Sequence, residues 1–122
     1  MPAKPHVLVV DDDAGIRETM SDILGLEGYR VATASGGREA VALCAKQHYD
    51  FALLDIRMPD MNGVETLREI KRVDPAVRAI MITGYDVGTL AMEAMDAGAE
   101  AVFRKPLDVA SFLPLLMTSE EG

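Results

Sequence analysis

One cysteine, Cys44, stands among 122 residues, so no disulfide can form within the chain. That composition suits a reducing, cytoplasmic setting. Apolar neighbours, with no His or Cys close in sequence, make Cys44 a packing residue rather than a reactive thiol. Histidine is nearly as scarce. His6 and His48 are isolated, and neither reads as a metal ligand. No apolar run approaches the ~18 residues of a membrane span. The start, Met1-Pro2-Ala3-Lys4-Pro5, lacks the long apolar core of a secretory signal. Basic charge is in deficit: 12 Lys and Arg against 20 Asp and Glu leave a net charge of −8. Direct nucleic-acid binding through a basic patch is therefore not expected. No internal repeat, low-complexity segment or linker is visible. The 122 residues read as one domain, with tails at 1–5 and 118–122 expected to fray.

What is present is a chain rich enough in apolar residues, at 49%, to build a core without metal or disulfide staples. Five apolar runs alternate with five amphipathic stretches. The runs are His6–Val10, Tyr29–Ala34, Phe51–Leu54, Arg78–Ile82 and Ala101–Arg104. Ile16, Met20, Ile23 and Leu24 share one face of a first helix, which Gly28 stops. A second helix, with Ser35 as its expected cap, turns Ala40, Val41, Leu43 and Cys44 to the core and ends near His48. Val64, Leu67, Ile70 and Val73 mark a third, ended by Asp74-Pro75. Leu90, Ala91, Ala94 and Met95 mark a fourth, with Asp86 as cap and Gly98 as stop. A last helix from about Asp108 carries Phe112, Leu113, Leu115 and Leu116, interrupted by Pro114. Five β-α units of this size predict an α/β fold. Its doubly wound, five-stranded parallel sheet has the order 2-1-3-4-5 and is flanked by five helices, in the flavodoxin-like manner.

In such a sheet, ligands bind outside the carboxyl ends of the strands. The first strand delivers Asp11 and Asp12 there. The third runs Phe51-Ala52-Leu53-Leu54 straight into Asp55, before a loop with Pro59, Asn62 and Gly63. The fourth delivers Thr83, and the fifth delivers Lys105 before Pro106. Taken singly, each residue has an ordinary reading; Asp55, for example, could merely cap a turn. Together they form a set. Three crowded carboxylates repel one another, and Mg²⁺, a hard cation that takes oxygen ligands and keeps several waters, resolves the repulsion. Lys105 offers a point charge to a phosphoryl oxygen, and Thr83 offers a hydroxyl. The set suits covalent capture of a phosphoryl group by a carboxylate.

The motifs Val-Val-Asp-Asp-Asp at 9–13, Leu-Leu-Asp-Ile-Arg-Met-Pro at 53–59, Asn-Gly at 62–63, Ile-Thr-Gly at 82–84, Gly-Ala at 98–99 and Lys-Pro at 105–106 occur in this order. Over nearly its whole length the chain resembles the receiver domains of two-component response regulators. The resemblance implies that a histidine kinase phosphorylates Asp55. It implies that Asp12 ligates Mg²⁺ directly, Asp11 mostly through water, and that Asp55 and the Arg57 main-chain carbonyl complete the protein ligands. Thr83 and Lys105 would hold the phosphoryl oxygens, and the Lys105-Pro106 peptide would be cis. Phosphorylation would draw Thr83 inward and alter the face made by the fourth helix, fifth strand and fifth helix. That face would meet an output domain, a partner protein or a second receiver in a phosphorylation-dependent homodimer. The family's switch position, three residues before the lysine, usually holds Tyr or Phe. Here it is Val102, with Phe103 pointing to the other side of the strand.

Such a domain catalyses only its own phosphorylation and dephosphorylation and is otherwise no enzyme. Two other readings compete. One is a degenerate receiver that binds partners without being phosphorylated, against which the complete set Asp11, Asp12, Asp55, Thr83 and Lys105 argues. The other is a Mg²⁺-dependent phosphatase using the Asp-x-Asp at 11–13, which leaves Asp55 without a role.

Overall fold

The computed structural model describes residues 5–84 and 88–104. Strands β1 (His6–Val10), β2 (Arg30–Ala34), β3 (Phe51–Asp55), β4 (Arg78–Thr83) and β5 (Ala99–Arg104) form one parallel sheet in the order β2-β1-β3-β4-β5. Helices α1 (Ala14–Leu26), α2 (Gly37–Lys46), α3 (Gly63–Val73) and α4 (Gly88–Asp96) connect them. The predicted architecture is therefore the observed one. The expected last helix, with Pro114, lies outside the described residues, as do Tyr85, Asp86, Lys105 and Pro106.

The three central strands are apolar on both faces because both faces are covered. Strand alternation sorts their side chains into two cores. Leu8, Val10, Ala52, Leu54, Ala79 and Met81 pack on Ala40 and Cys44 of α2, Val64, Leu67 and Ile70 of α3, and Ala94 of α4. Val7, Val9, Phe51, Leu53, Ile80 and Ile82 pack on the other side against Met20 and Leu24 of α1 and Tyr29. Val102 faces the first core and Phe103 the second, as alternation predicts.

Helix ends follow local chemistry. Gly28 and Gly98 take positive φ, 92° and 110°, just beyond α1 and α4, where a side chain would be strained. Asp13 caps α1: its Oδ1 accepts from the N–H groups of Gly15 at 2.8 Å and Ile16 at 3.3 Å. Asn62 and Glu65 form a reciprocal capping box on α3. Ser35 does not cap α2, whose N-cap position is Gly36. Instead Ser35 gives its N–H and hydroxyl to Glu39, at 2.8 and 3.0 Å.

Three further expectations are corrected. Val73 and Met95 are exposed, at 37% and 49%: Val73 is the last residue of α3, and Met95 follows Ala94, whose small side chain takes the buried position. β5 begins at Ala99, not Ala101. Ala99 pairs with Ala79, the ladder then skips a residue, and Ala101 pairs with Ile80. Glu100 interrupts the apolar run at that irregularity and instead ion-pairs with Arg78, 2.6 Å away. α2 ends at Lys46 rather than near His48.

His48 is not isolated. Its Nδ1 lies 2.5 Å from Asp74, the residue that closes α3, and its Nε2 lies 3.3 Å from Asp50. The hydrogen bond to Asp74, above all, raises the His48 pKa over its ordinary 6.5. A raised pKa means that the folded state binds the proton more tightly than the unfolded state. The stabilisation is thus full below pH 6.5 and fades as pH rises through the folded-state value. His48 is half exposed, so screening limits the effect to about 1 kcal/mol or less. His48→Gln should therefore be less stable than the parent near pH ~6 and equal to it near pH ~8.5. Urea midpoints at both values check this; a gap that widens with pH contradicts it.

Candidate functional site

Register brings the site together. Val10 of β1 pairs with Leu54 of β3, so Asp11 and Asp55 stand level, one residue further on, in adjacent strands. Asp55 in turn pairs with Ile82, which puts Thr83 at the next position of β4, and Thr83 pairs with Arg104 at the end of β5. β1 and β3 lie side by side at the centre of the sheet, yet the helices that follow them cover opposite faces. This is the switch point at which a doubly wound sheet opens a crevice.

Asp11, Asp12 and Asp55 each offer a carboxylate oxygen, and these oxygens lie within 4.8 Å of one another. Asp11 and Asp55 are buried, at 3% and 5% exposure, whereas Asp12 faces solvent. Thr83 is buried at 3%. Main-chain donors hold the carboxylates: Asp13 N–H gives to Asp11 Oδ1 at 2.9 Å, and Arg57 N–H gives to Asp55 Oδ1 at 3.3 Å. Arg17, one turn into α1, donates to the Asp11 carbonyl at 2.8 Å. Beside the cluster lies an open cleft of about 510 Å³ lined by Asp12, Ile56, Arg57, Met58, Pro59 and Asn62.

Of the residues picked from sequence, Asp11, Asp12 and Asp55 converge. Thr83 sits on the neighbouring strand, and Arg57 bonds Asp55 through its main chain. Lys105 and Pro106 fall outside the described residues. The chain also contains supports that sequence reasoning missed. The Asn62-x-x-Glu65 capping box was legible as a pattern. Arg17 and Asp60 carried no local signal, because their partners are set by tertiary structure.

Residues 7–116 match the family model for the response regulator receiver domain. The chain belongs to that family. It is 35% identical over 103 residues to sporulation initiation phosphotransferase F of Bacillus subtilis (strain 168), covering 84% of this chain and 83% of that protein. It is 40% identical over 102 residues to transcriptional regulatory protein ZraR of Escherichia coli (strain K12). There it covers 84% of this chain but 23% of the relative, so the chain spans about a quarter of such regulators. Among solved structures, a CheY-like response regulator receiver domain protein from Methanospirillum hungatei JF-1 superposes with a TM-score of 0.92 at 32% identity. The match covers 98% of this chain and 100% of that one. The receiver is thus a signalling module of two-component systems, of the CheY-like flavodoxin fold.

Gly63 shows how tightly the receiver packs its site. Its N–H gives to the Ile56 carbonyl at 2.7 Å, folding the loop after Asp55 back onto β3. A Cβ there would run into the Asp55 carbonyl oxygen and stand 2.8 Å from both Ile56 Cα and Met81 Cε. Two of those obstacles are main chain and cannot yield cheaply. Gly63→Ala should cost about 1–3 kcal/mol of stability, as overpacking does. Chemical denaturation measures it, and a midpoint equal to the parent's would contradict the close approach.

Proposed function

We propose that the chain is a single phosphoacceptor domain spanning residues 1–122, in which Asp55 accepts a phosphoryl group from a histidine kinase. The observation that carries this reading is the convergence of three carboxylates, two of them buried, at the switch point of the sheet. An Asp55 oxygen attacks the phosphorus of the donor phosphohistidine, the P–N bond breaks, and the imidazole leaves with the electron pair. The product is an acyl phosphate on Asp55. Hydrolysis transfers the phosphoryl group to water, releasing inorganic phosphate and returning the carboxylate, and the domain turns over no other substrate.

The residues present fit Mg²⁺. Asp12 and Asp55 would hold it directly, Asp11 largely through water, and the Arg57 carbonyl would add a further hard oxygen; the carboxylates of Asp11, Asp12 and Asp55 already meet at the carboxyl ends of the central strands. When bound, the ion neutralises charge on the phosphoryl oxygens and on the carboxylates. Thr83, buried on β4 beside Asp55, offers a hydroxyl to the phosphoryl group, and Lys105, one residue past Arg104, offers an ammonium. The set operates in the cytoplasm; among the described residues no helix is long and apolar enough to cross a membrane. Output passes through α4 and β5 to an attached domain, a partner protein or a second receiver.

Two measurements test the assignment. Incubated with acetyl phosphate and MgCl₂, the parent should gain one phosphoryl mass, while Asp55→Asn and Asp12→Ala should gain none. Asp12→Ala should also be at least as stable as the parent without Mg²⁺, because a repelling charge is gone. Labelling of Asp55→Asn equal to the parent's would refute the acceptor.

The second measurement concerns the switch. Val102 is partly buried against the core shared with Ala94 and, being short and β-branched, has no ring to swing between two positions. The change on phosphorylation is therefore carried by the backbone after Thr83, where Gly84 and Gly88 permit rearrangement. Beryllofluoride should alter hydrogen exchange chiefly in residues 83–96 and leave 101–104 nearly unchanged. A response centred on 101–104 with 83–96 silent would overturn this.

A further inference from the structure

α2 has no cap from its own segment, since its N-cap is Gly36. The cap arrives from the loop after Asp55. One Asp60 carboxylate oxygen accepts from Gly37 N–H at 3.1 Å and the other from Arg38 N–H at 3.0 Å. Oδ1 also accepts from Met61 N–H at 2.8 Å. These donors hold the Asp60 carboxyl below its ordinary range, the Arg38 N–H contributing most. An anion at a helix N-terminus is favoured by the exposed N–H groups and by the helix dipole.

The surroundings are shaped for this contact. A Cβ on Gly36 would stand 2.8 and 3.0 Å from the two Asp60 oxygens. A Cβ on Gly37 would collide with Thr66 Oγ1 and reach Met61 Cβ at 3.0 Å. Two successive glycines thus leave the room that the carboxylate and its loop occupy. The loop is otherwise fastened at its far end, by Gly63 N–H to the Ile56 carbonyl and by the Asn62 and Glu65 capping box. Between Arg57 and Asn62, Asp60 is the tie to another element among the described hydrogen bonds. Pro59, with its restricted φ, stands between Arg57 and that tie, so a movement at Asp60 is passed back along the chain rather than absorbed.

We infer that Asp60 is a positioning residue: by fastening the loop to the N-terminus of α2, its carboxylate holds the Arg57 carbonyl at the cation site. The inference rests on the proposed Mg²⁺ site and deepens it. Asp60 touches neither the ion nor the phosphoryl group. Its effect is on cation affinity, through where one ligand stands, and not on the phosphoryl transfer once the cation is bound.

The test is Mg²⁺ titration by calorimetry at constant ionic strength for the parent, Asp60→Ala, Asp60→Asn, Glu39→Ala and Asp12→Ala. Asp60→Ala should raise the Mg²⁺ dissociation constant roughly fivefold, below the roughly 10–100-fold seen when a group bonded directly to a ligand is lost. Asp60→Asn keeps the acceptor for Gly37 and Met61 but turns an amide N–H towards the Arg38 N–H, and should recover only part of the affinity. Glu39→Ala removes a nearby acidic side chain that bonds Ser35 and not the loop, controls for lost charge, and should bind as the parent does. Phosphorylation by acetyl phosphate should need more Mg²⁺ for half-saturation in Asp60→Ala, yet reach the parent's rate at saturation. Far-UV circular dichroism without Mg²⁺ separates a loss of folding, because a variant as fully folded as the parent cannot owe a weaker midpoint to unfolding. If Asp12→Ala binds like the parent, the proposed cation site itself is wrong. If Asp12→Ala fails to bind while Asp60→Ala stays within about twofold of the parent, or Asp60→Asn is as weak as Asp60→Ala, the positioning role alone is overturned.

Discussion

Three carboxylates within 4.8 Å of one another are an unfavourable arrangement that the rest of the molecule must enforce. Two of them are buried, where repulsion is screened least. The enforcement begins with the parallel ladder. Because β1 and β3 pair along Val7–Val10 and Phe51–Leu54, the next residue of each strand has no freedom to move away. The apolar runs that hold these strands on both faces therefore place charge at their ends as well as supplying stability. What the fold concentrates at the strand ends is negative charge.

The loops around that point are fastened with main-chain donors rather than with opposite charge. Asp13 and Arg57 N–H groups reach the carboxylates, and Gly63 draws the chain back over β3. Such bonds fix direction without consuming the negative charge that a divalent ion needs. Asp60 extends the same logic to α2, whose N-terminus is finished by a loop about twenty residues further along. Helix α2 and the loop after Asp55 are thereby parts of one assembly, although they belong to different β-α units.

The opposite end of the sheet is built differently. There His48 stands between Asp50 and Asp74, and Lys71 donates to the Val77 carbonyl at 2.5 Å. Charge is paired there rather than crowded, as befits an end that only joins elements. β5 is the less regular edge. Its ladder slips beside Ala79.

Much of this was legible in the chain itself. Periodicity of two and of 3.6 identified the strands and helices, because burial against a sheet imposes those periods directly on the residues. Alternating β and α runs and right-handed crossovers restricted the topology, and 2-1-3-4-5 is the order documented for small doubly wound domains. Asp11, Asp12, Asp55 and Thr83 were visible because a strand's end is marked locally, by an apolar run giving way to a polar residue. Only the tertiary structure decided which groups share a boundary without sharing a segment. Asp60 rather than Ser35 caps α2, His48 joins Asp74, and Met95 faces solvent although its spacing placed it inward. The physical reason is the same in each case. Hydrogen bonding and burial depend on what lies across a gap in space, and residues far apart in the chain carry no local mark of the neighbour that folding will give them.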